Sequence, residues 1–457
     1  MNTISDKEVR DFVEWTLQNP FSGETSAKNA YSGQIFQDFV NNNPIKVLTS
    51  SVPAKDNKSY LLKLVLAYGI NRTKRDALNK SNVFQADTIN RIIDDTFKEE
   101  KEKIQSLVIA AGNCFRFLME KIAGNSTEIV KTKAETWRAC FGSSLYEALL
   151  NEPIIRRQNL IFIGETGTGK ELFAEAIKIS DFTGKDPKKH DPVTLAHRDT
   201  TVVDPSKRNN QISLNIAALD EELALSELFG HKKGAFTGAT SDRDGAFKRA
   251  DKGILFLDEI GDLSENIQVK LLRAIEYGKY HPLGSDKEKF VDIRFVSATN
   301  KDINDPNVLR LDLKNRIAGW VIKIPPLRKR TSDIKLIVES LLHEWLPKNI
   351  HLKDIKSIID ELPINNYEWP GNVRELSTML RRVILGDSVK ELNSEIIKDS
   401  KYKDISSLEK VISGEMTIEE VKSWYVNLVR EKTGSLEKAA NKIKVCYSTA
   451  QKWSKNG

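Results

Sequence analysis

The sequence predicts an α/β protein built on a parallel sheet, with a mostly helical unit before it and a small helical unit after it. Three apolar runs carry this reading. "NLIFIG" (Asn159–Gly164), "GILFLDEIG" (Gly253–Gly261) and "IRFVSATN" (Ile293–Asn300) each have the length and composition of a buried strand. Helical patterns lie between them, and strands alternating with helices favour crossover connections and parallel pairing. A further strand is expected in "IKIPPLRKR" (Ile322–Arg330), where two prolines mark the exit from the sheet.

A chain of 457 residues is long enough for several domains and a large core. Its 40% hydrophobic and 29% charged residues are those of an ordinary soluble protein. The net charge of +6 permits nucleic-acid binding and argues for it only where the charge is concentrated. The three cysteines, Cys114, Cys140 and Cys446, are far apart and in no zinc or disulfide pattern. The N-terminus does not read as a signal peptide, and no apolar run nears the ~18 residues that span a bilayer. A cytoplasmic location is expected, with no membrane partner.

Along the chain, residues 1–135 carry no chemical motif. From Ile92 to Ile122 the apolar residues Ile104, Leu107, Val108, Ala111, Phe115, Leu118 and Ile122 share one helical face, either a core helix or a dimerising signalling helix. The expected units are a helical regulatory domain over 1–135, an α/β subdomain over 139–330 and a helical lid over 331–392. A polar linker over 393–416 and a helical unit over 417–457 follow. The stretch between Ile179 and Gln211 is polar and bears proline, so it reads as a surface loop.

The chemistry begins at "GETGTGK". Gly164, Glu165, Thr166, Gly167, Thr168, Gly169 and Lys170 fit the phosphate-binding pattern G-x-x-x-x-G-K between a strand and a helix. Glycines let backbone N–H groups wrap a phosphate, and the lysine reaches the β- and γ-phosphates. Glu171 stands where the general pattern has a Mg²⁺-binding Ser or Thr, so the metal falls to Asp258 at the end of "ILFLDE". Glu259, the next residue, is placed to deprotonate an attacking water. Thr299 and Asn300 end the third strand, at the sheet edge where ligands of α/β proteins sit. The expected reaction is hydrolysis of a nucleoside triphosphate with Mg²⁺; the resemblance below implies ATP.

These motifs together resemble the bacterial enhancer-binding proteins, the AAA+ ATPases that activate the sigma-54 form of RNA polymerase. The resemblance covers Ala139 to Leu392 and again 417–457. "GETGTGKE" is similar to the family's own P-loop, glutamate included, and "SLNIAAL" (Ser213–Leu219) to the strand whose Asn215 couples nucleotide state to the catalytic glutamate. "LRLDLKNRI" (Leu309–Ile317) is similar to the segment that lends arginine fingers, here Arg310 and Arg316, to a neighbouring subunit. "WPGNVREL" (Trp369–Leu376) is similar to the lid motif whose arginine, here Arg374, touches the phosphates. "ELFGHKKGAFTGA" (Glu227–Ala239) carries the family's sigma-contacting loop. The resemblance implies that Gly234, Ala235, Phe236, Thr237, Gly238 and Ala239 meet sigma-54 in its polymerase holoenzyme. Phe236 is then expected as an exposed aromatic anchor between two glycine hinges. Fingers acting between subunits imply a homo-oligomeric ring, a hexamer.

Residues 434–457 hold five lysines and one glutamate in a helix–turn–helix pattern that resembles the Fis type. Lys444 takes the turn position usually held by glycine. Tyr447, Ser448, Gln451 and Lys452 fall on the expected recognition helix, and enhancer DNA is the implied partner. Two other readings stay open at this point: a remodelling AAA+ ATPase that does not act on sigma-54, and a DNA-bound regulator whose nucleotide site only controls assembly.

Overall fold

The computed structural model describes residues 13–21, 58–75, 87–182, 210–216, 219–345, 359, 362, 367–385, 387 and 417–455. The expected linker over 393–416 and most of the loop between Ile179 and Gln211 lie outside these residues, as does most of the N-terminal 57.

Five strands form one parallel sheet: β1 (Leu160–Ile163), β2 (Gln211–Asn215), β3 (Ile254–Asp258), β4 (Arg294–Thr299) and β5 (Trp320–Lys323). Their order is β2-β3-β4-β1-β5. The first strand of the chain is thus inserted between β4 and β5, so that two of its neighbours are among the last strands to be made. Register sets Asn215 beside Asp258 and Ile163 beside Thr299, which gathers the polar strand ends at one edge.

Both faces of the sheet are covered, and the strand residues divide between them with a period of two. Leu160, Phe162, Ile254, Phe256, Val296 and Ala298 face one core, while Ile161, Leu255, Leu257 and Phe295 face the other. The second core is closed by helices that follow β2, β3 and β4. The first is closed by the helix after the P-loop and by helices from the front of the chain.

Those front helices are α1 (Lys58–Arg75), α2 (Asp87–Thr96), α3 (Lys101–Glu120), α4 (Thr127–Phe141), α5 (Leu145–Leu150) and α6 (Glu152–Arg157). The helical face expected from Ile92 to Ile122 is present, with Ile104, Leu107, Val108, Ala111 and Leu118 buried. It is not one helix. A turn at 97–100 separates α2 from α3, because the charged run Lys98–Lys103 offers no apolar residue to continue the stripe, and Phe97 turns into the core instead. The helical layer shares its core with the sheet: Trp137 and Phe141 of α4 lie 4.6 Å apart, and Phe141 stacks on Phe182 just past the P-loop helix. The division expected near residues 135–139 therefore falls inside α4.

The remaining helices are α7 (Lys170–Ile179), α8 (Glu221–Phe229), α9 (Ala246–Arg249), α10 (Glu265–Tyr277), α11 (Leu311–Ile317), α12 (Ile334–Trp345) and α13 (Asn372–Ile384). Residues 417–455 form three more helices within a second compact unit: α14 (Ile418–Thr433), α15 (Leu436–Ile443) and α16 (Tyr447–Lys455). Thr417 and Glu420 close a capping box at the start of α14, and Ser435 caps α15. Val426, Ala440 and Ala450 make a small core where short side chains let the helices meet closely. No helix among the described residues is long and apolar enough to cross a membrane.

Candidate nucleotide site and partner loop

The P-loop leaves β1 at Gly164 and enters α7 at Lys170. Gly164 N–H donates to Thr299 O, which ties the loop to the end of β4. Gly167 and Gly169 have φ of 79° and 99°, the left-handed region that glycine takes without steric cost. At Gly167 there is also no room for a side chain. A Cβ there would lie 2.2 Å from Gly371 O of the lid.

Lys170 is buried and turned inward. Its Nζ donates to Gly164 O at 3.0 Å and pairs with Glu259 Oε1 at 3.2 Å. The expected phosphate cation and the expected base are therefore in contact. Glu259 sits at φ 51°, ψ 49°, a conformation uncommon for a non-glycine residue and frequent at functional sites. Its Oε2 accepts from Asn300 N–H at 3.0 Å, and its own N–H donates to Asp258 Oδ1. Burial, then the neighbouring Glu259, push the Asp258 carboxyl above the usual range, while Lys170 pulls it back. Two adjacent carboxylates with this strain suit a hard divalent cation, whose shell water and phosphate oxygens would complete.

Asn215 ends β2 beside Asp258, as the register requires. Asn300 donates from Nδ2 to Thr166 Oγ1 at 3.0 Å, so it touches both the P-loop and the base. Thr299 does not join it. It is fully buried, and its hydroxyl accepts from Lys301 N–H. The strand alternation that turns Asn300 outward turns Thr299 into the sheet edge, and this corrects its expected place at the nucleotide. Glu171 lies exposed in the first turn of α7.

The lid helix α13 begins on the P-loop. Val373 N–H donates to Gly167 O, and Asn372 Nδ2 donates to Thr166 O at 3.0 Å and to Glu165 Oε2 at 3.3 Å. Arg374 follows directly, exposed, with its Cβ against Gly167. Arg328 clasps Glu165 with both terminal nitrogens, and this guanidinium holds the Glu165 carboxyl below its ordinary range. Sequence reasoning did not single out Asn372 or Arg328. The available signals were an asparagine inside "PGNVREL" and an arginine just past the two prolines that end β5.

Arg310 stands at the N-cap of α11 and Arg316 lies in its last turn. Arg310 bonds Glu265 Oε1 at 2.7 Å and Asp312 Oδ2 at 2.8 Å, and Arg316 bonds Glu276. Both are held by carboxylates of their own chain, two of these on α10.

Residues 230–231 pair antiparallel with 243–244, so "KKGAFTGA" is the tip of a hairpin. Gly234 and Gly238 take φ of 81° and 103°, as hinges there require. Thr237 and Gly238 are exposed, but Phe236 is not the free anchor expected. It is half-buried, its ring edge-on to His231 with centroids 4.9 Å apart. His231 is buried and exchanges a 2.7 Å hydrogen bond with Ser226 of α8. Ala235 packs on Gly284, Ala239 is buried, and Lys232 N–H donates to Leu283 O. The loop is stowed against its own hairpin because an exposed phenyl ring gains by covering apolar surface.

In the C-terminal unit Lys444 has φ 58° between α15 and α16, the left-handed turn that made glycine the expected residue. Tyr447, Ser448, Gln451 and Lys452 are all exposed on one side of α16, opposite buried Ala450.

A parallel sheet of order β2-β3-β4-β1-β5 with a P-loop, an acidic pair at the end of β3 and a lid helix on the phosphate loop has the architecture of an AAA+ domain. Residues 147–323 match the Sigma-54 interaction domain, and 328–407 the AAA+ ATPase lid domain. These two matched segments overlap the stretch that resembles the bacterial enhancer-binding proteins. The chain is 38% identical over 247 residues to the anaerobic nitric oxide reductase transcription regulator NorR of Salmonella newport (strain SL254), covering 53% of this chain and 44% of that protein. It is 34% identical over 320 residues to the NorR of Aliivibrio fischeri (strain ATCC 700601 / ES114), covering 66% and 57%. The chain thus spans about half the length of the curated relatives it matches. The structure of NtrX from Brucella abortus in complex with ATP overlays with a TM-score of 0.46 at 19% identity, covering 81% of this chain and 74% of that one.

Proposed function

We propose that this protein is a sigma-54-dependent transcriptional activator that binds enhancer DNA. ATP hydrolysis in a homo-oligomeric ring, a hexamer, would remodel the closed complex of the sigma-54 RNA polymerase holoenzyme. The observation that carries the reading is the Lys170–Glu259 contact inside a P-loop gripped by the lid helix, in a chain whose residues 147–323 match the Sigma-54 interaction domain.

ATP would enter with its phosphates on the P-loop amides, and Lys170 would leave Glu259 for the β- and γ-phosphates. The freed carboxylate would then take a proton from the attacking water, oriented by its bond to Asn300 N–H. Asp258 would hold Mg²⁺, which neutralises charge developing on the phosphates. Asn215, next to Asp258 in the sheet, would link the state of Glu259 to β2. Arg374 would reach the phosphates from the lid, and Arg310 and Arg316 those of a neighbouring subunit. Residues 234–239 would grip sigma-54 once the hairpin rises. Tyr447, Ser448, Gln451 and Lys452 would face DNA from α16.

Glu259→Gln should bind a fluorescent ATP analogue as the wild type does and lose turnover by about 10²–10⁴, the worth of a general base. Lys170→Ala should lose the binding itself. ATPase rates, analogue titrations and a pull-down of sigma-54 with a transition-state analogue of ATP test the proposal together. Wild-type turnover by Glu259→Gln would unseat Glu259 as the base, and failure of the wild type to retain sigma-54 would unseat the partner.

A further inference from the structure

A second polar cluster lies beneath the P-loop, in the seam between the front helices and the start of α12. The residues from Arg330 to Asp333 form a tight 3-10 turn in which Asp333 N–H donates to Arg330 O at 2.9 Å. The two side chains leave this turn in different directions. Arg330 is 3% exposed, and its Nη2 donates to Thr168 O of the P-loop at 3.2 Å. Its Nε is buried with no partner. Asp333 is fully buried and accepts three bonds from the α3–α4 junction: Asn125 N–H at 2.9 Å, Ser126 N–H at 2.8 Å and Ser126 Oγ at 2.6 Å. The fit is close enough that a Cβ at Gly124 would lie 2.7 Å from the Asp333 carboxylate. Lys133 of α4, also buried, completes the cluster by donating to Gly124 O at 3.1 Å.

The contact with Thr168 has a directional consequence. In a trans peptide the C=O and the following N–H point in opposite directions. Drawing Thr168 O towards Arg330 therefore turns Gly169 N–H away from it, outward from the buried seam. That N–H is one of the P-loop amides that would wrap a phosphate. An uncompensated guanidinium in an apolar seam is costly; this one is balanced by Asp333 across a single turn, and Asp333 is fixed by the α3–α4 junction.

We propose that Arg330 is a positioning residue for the phosphate-binding loop, and that the Arg330–Asp333 turn transmits the position of the α3–α4 junction to it. The front helical layer would thereby tune nucleotide affinity from beneath, independently of the lid. This rests on the reading of residues 164–170 as the nucleotide site.

The test is a titration of the full chain with mant-ADP and Mg²⁺, with melting temperature measured with and without nucleotide. Arg330→Gln should raise the Kd about tenfold, the scale of one charge-assisted hydrogen bond, and Arg330→Lys should recover part of it. Ser126→Ala, which leaves the P-loop and Arg330 untouched, should raise the Kd about fivefold, the low end of coupling between joined sites. Nucleotide-free melting temperature should move far less than the nucleotide-induced shift. An unchanged Kd in Arg330→Gln overturns the positioning role. An unchanged Kd in Ser126→Ala overturns the coupling, and does so even if Arg330→Gln fails to fold. A wild-type chain that binds no mant-ADP removes the nucleotide site itself, and the proposal with it.

Discussion

Lys133 shows how a single residue can make stability depend on pH. Burial pushes its ammonium down to about 8 from an ordinary value near 10.5, with Asp333 opposing the shift and Arg330 adding to it. Below pH 8 the folded chain carries this charge at a cost. Between 8 and 10.5 the unfolded chain still holds a proton that the folded chain has released, so stability rises with pH across that window, by on the order of 3 kcal/mol at most. Lys133→Met should therefore be more stable than the wild type at pH 7, and the gap should close towards pH 10.5. Urea midpoints of both proteins at several pH values measure it, and a gap that stays constant would show that Lys133 is not buried as a charge. Residues of this kind are not legible in the sequence. Lys170, Asp258 and Glu259 stand out because their chemistry is coded by near neighbours. Arg330 meets Thr168 across 162 positions and Asp333 meets Ser126 across 207, and no local pattern reports such contacts.

The elements follow the same division. Three strands of the sheet are plain in the sequence because each is a short apolar run with a polar end. The order of the strands is not, since it depends on pairings such as β1 with β5 across some of the longest separations in the fold. The loop tip was legible in its hinges and misleading in its aromatic residue, because Phe236 meets the ring of His231 while its neighbours Lys232 and Ala235 are tied to Leu283 and Gly284. The ring contact with His231 should add about 0.5–1.5 kcal/mol to the stowed state. Phe236→Ala should then melt only slightly lower, keep its ATPase, and fail to retain sigma-54 when a transition-state analogue of ATP is present. His231→Ala, which frees the ring without deleting it, should keep the partner and retain it at lower analogue concentration. A Phe236→Ala protein that binds sigma-54 normally would move the contact elsewhere on the hairpin.

At the scale of the whole molecule, the nucleotide-site residues and the proposed finger arginines are engaged by different groups. The P-loop, base and lid meet among themselves, while Arg310 and Arg316 are engaged by Glu265, Asp312 and Glu276 on the surface of α10 and α11. A guanidinium bound to carboxylates in the isolated chain is poised for exchange, because phosphate oxygens offer it the same bidentate acceptor geometry. If the fingers act between subunits, turnover should rise with protein concentration and Arg316→Ala should lose about 10³–10⁵ in rate. Glu259→Gln should be inactive for a different reason, since it keeps its fingers and lacks its base. Mixing the two dead variants should restore activity, because some interfaces in a mixed ring pair an intact Glu259 with an intact Arg316. The recovered rate should peak at intermediate ratios and vanish at either end. Titrating one variant into the other at a concentration where rings form gives the curve, and a flat line there would place the fingers within a single chain.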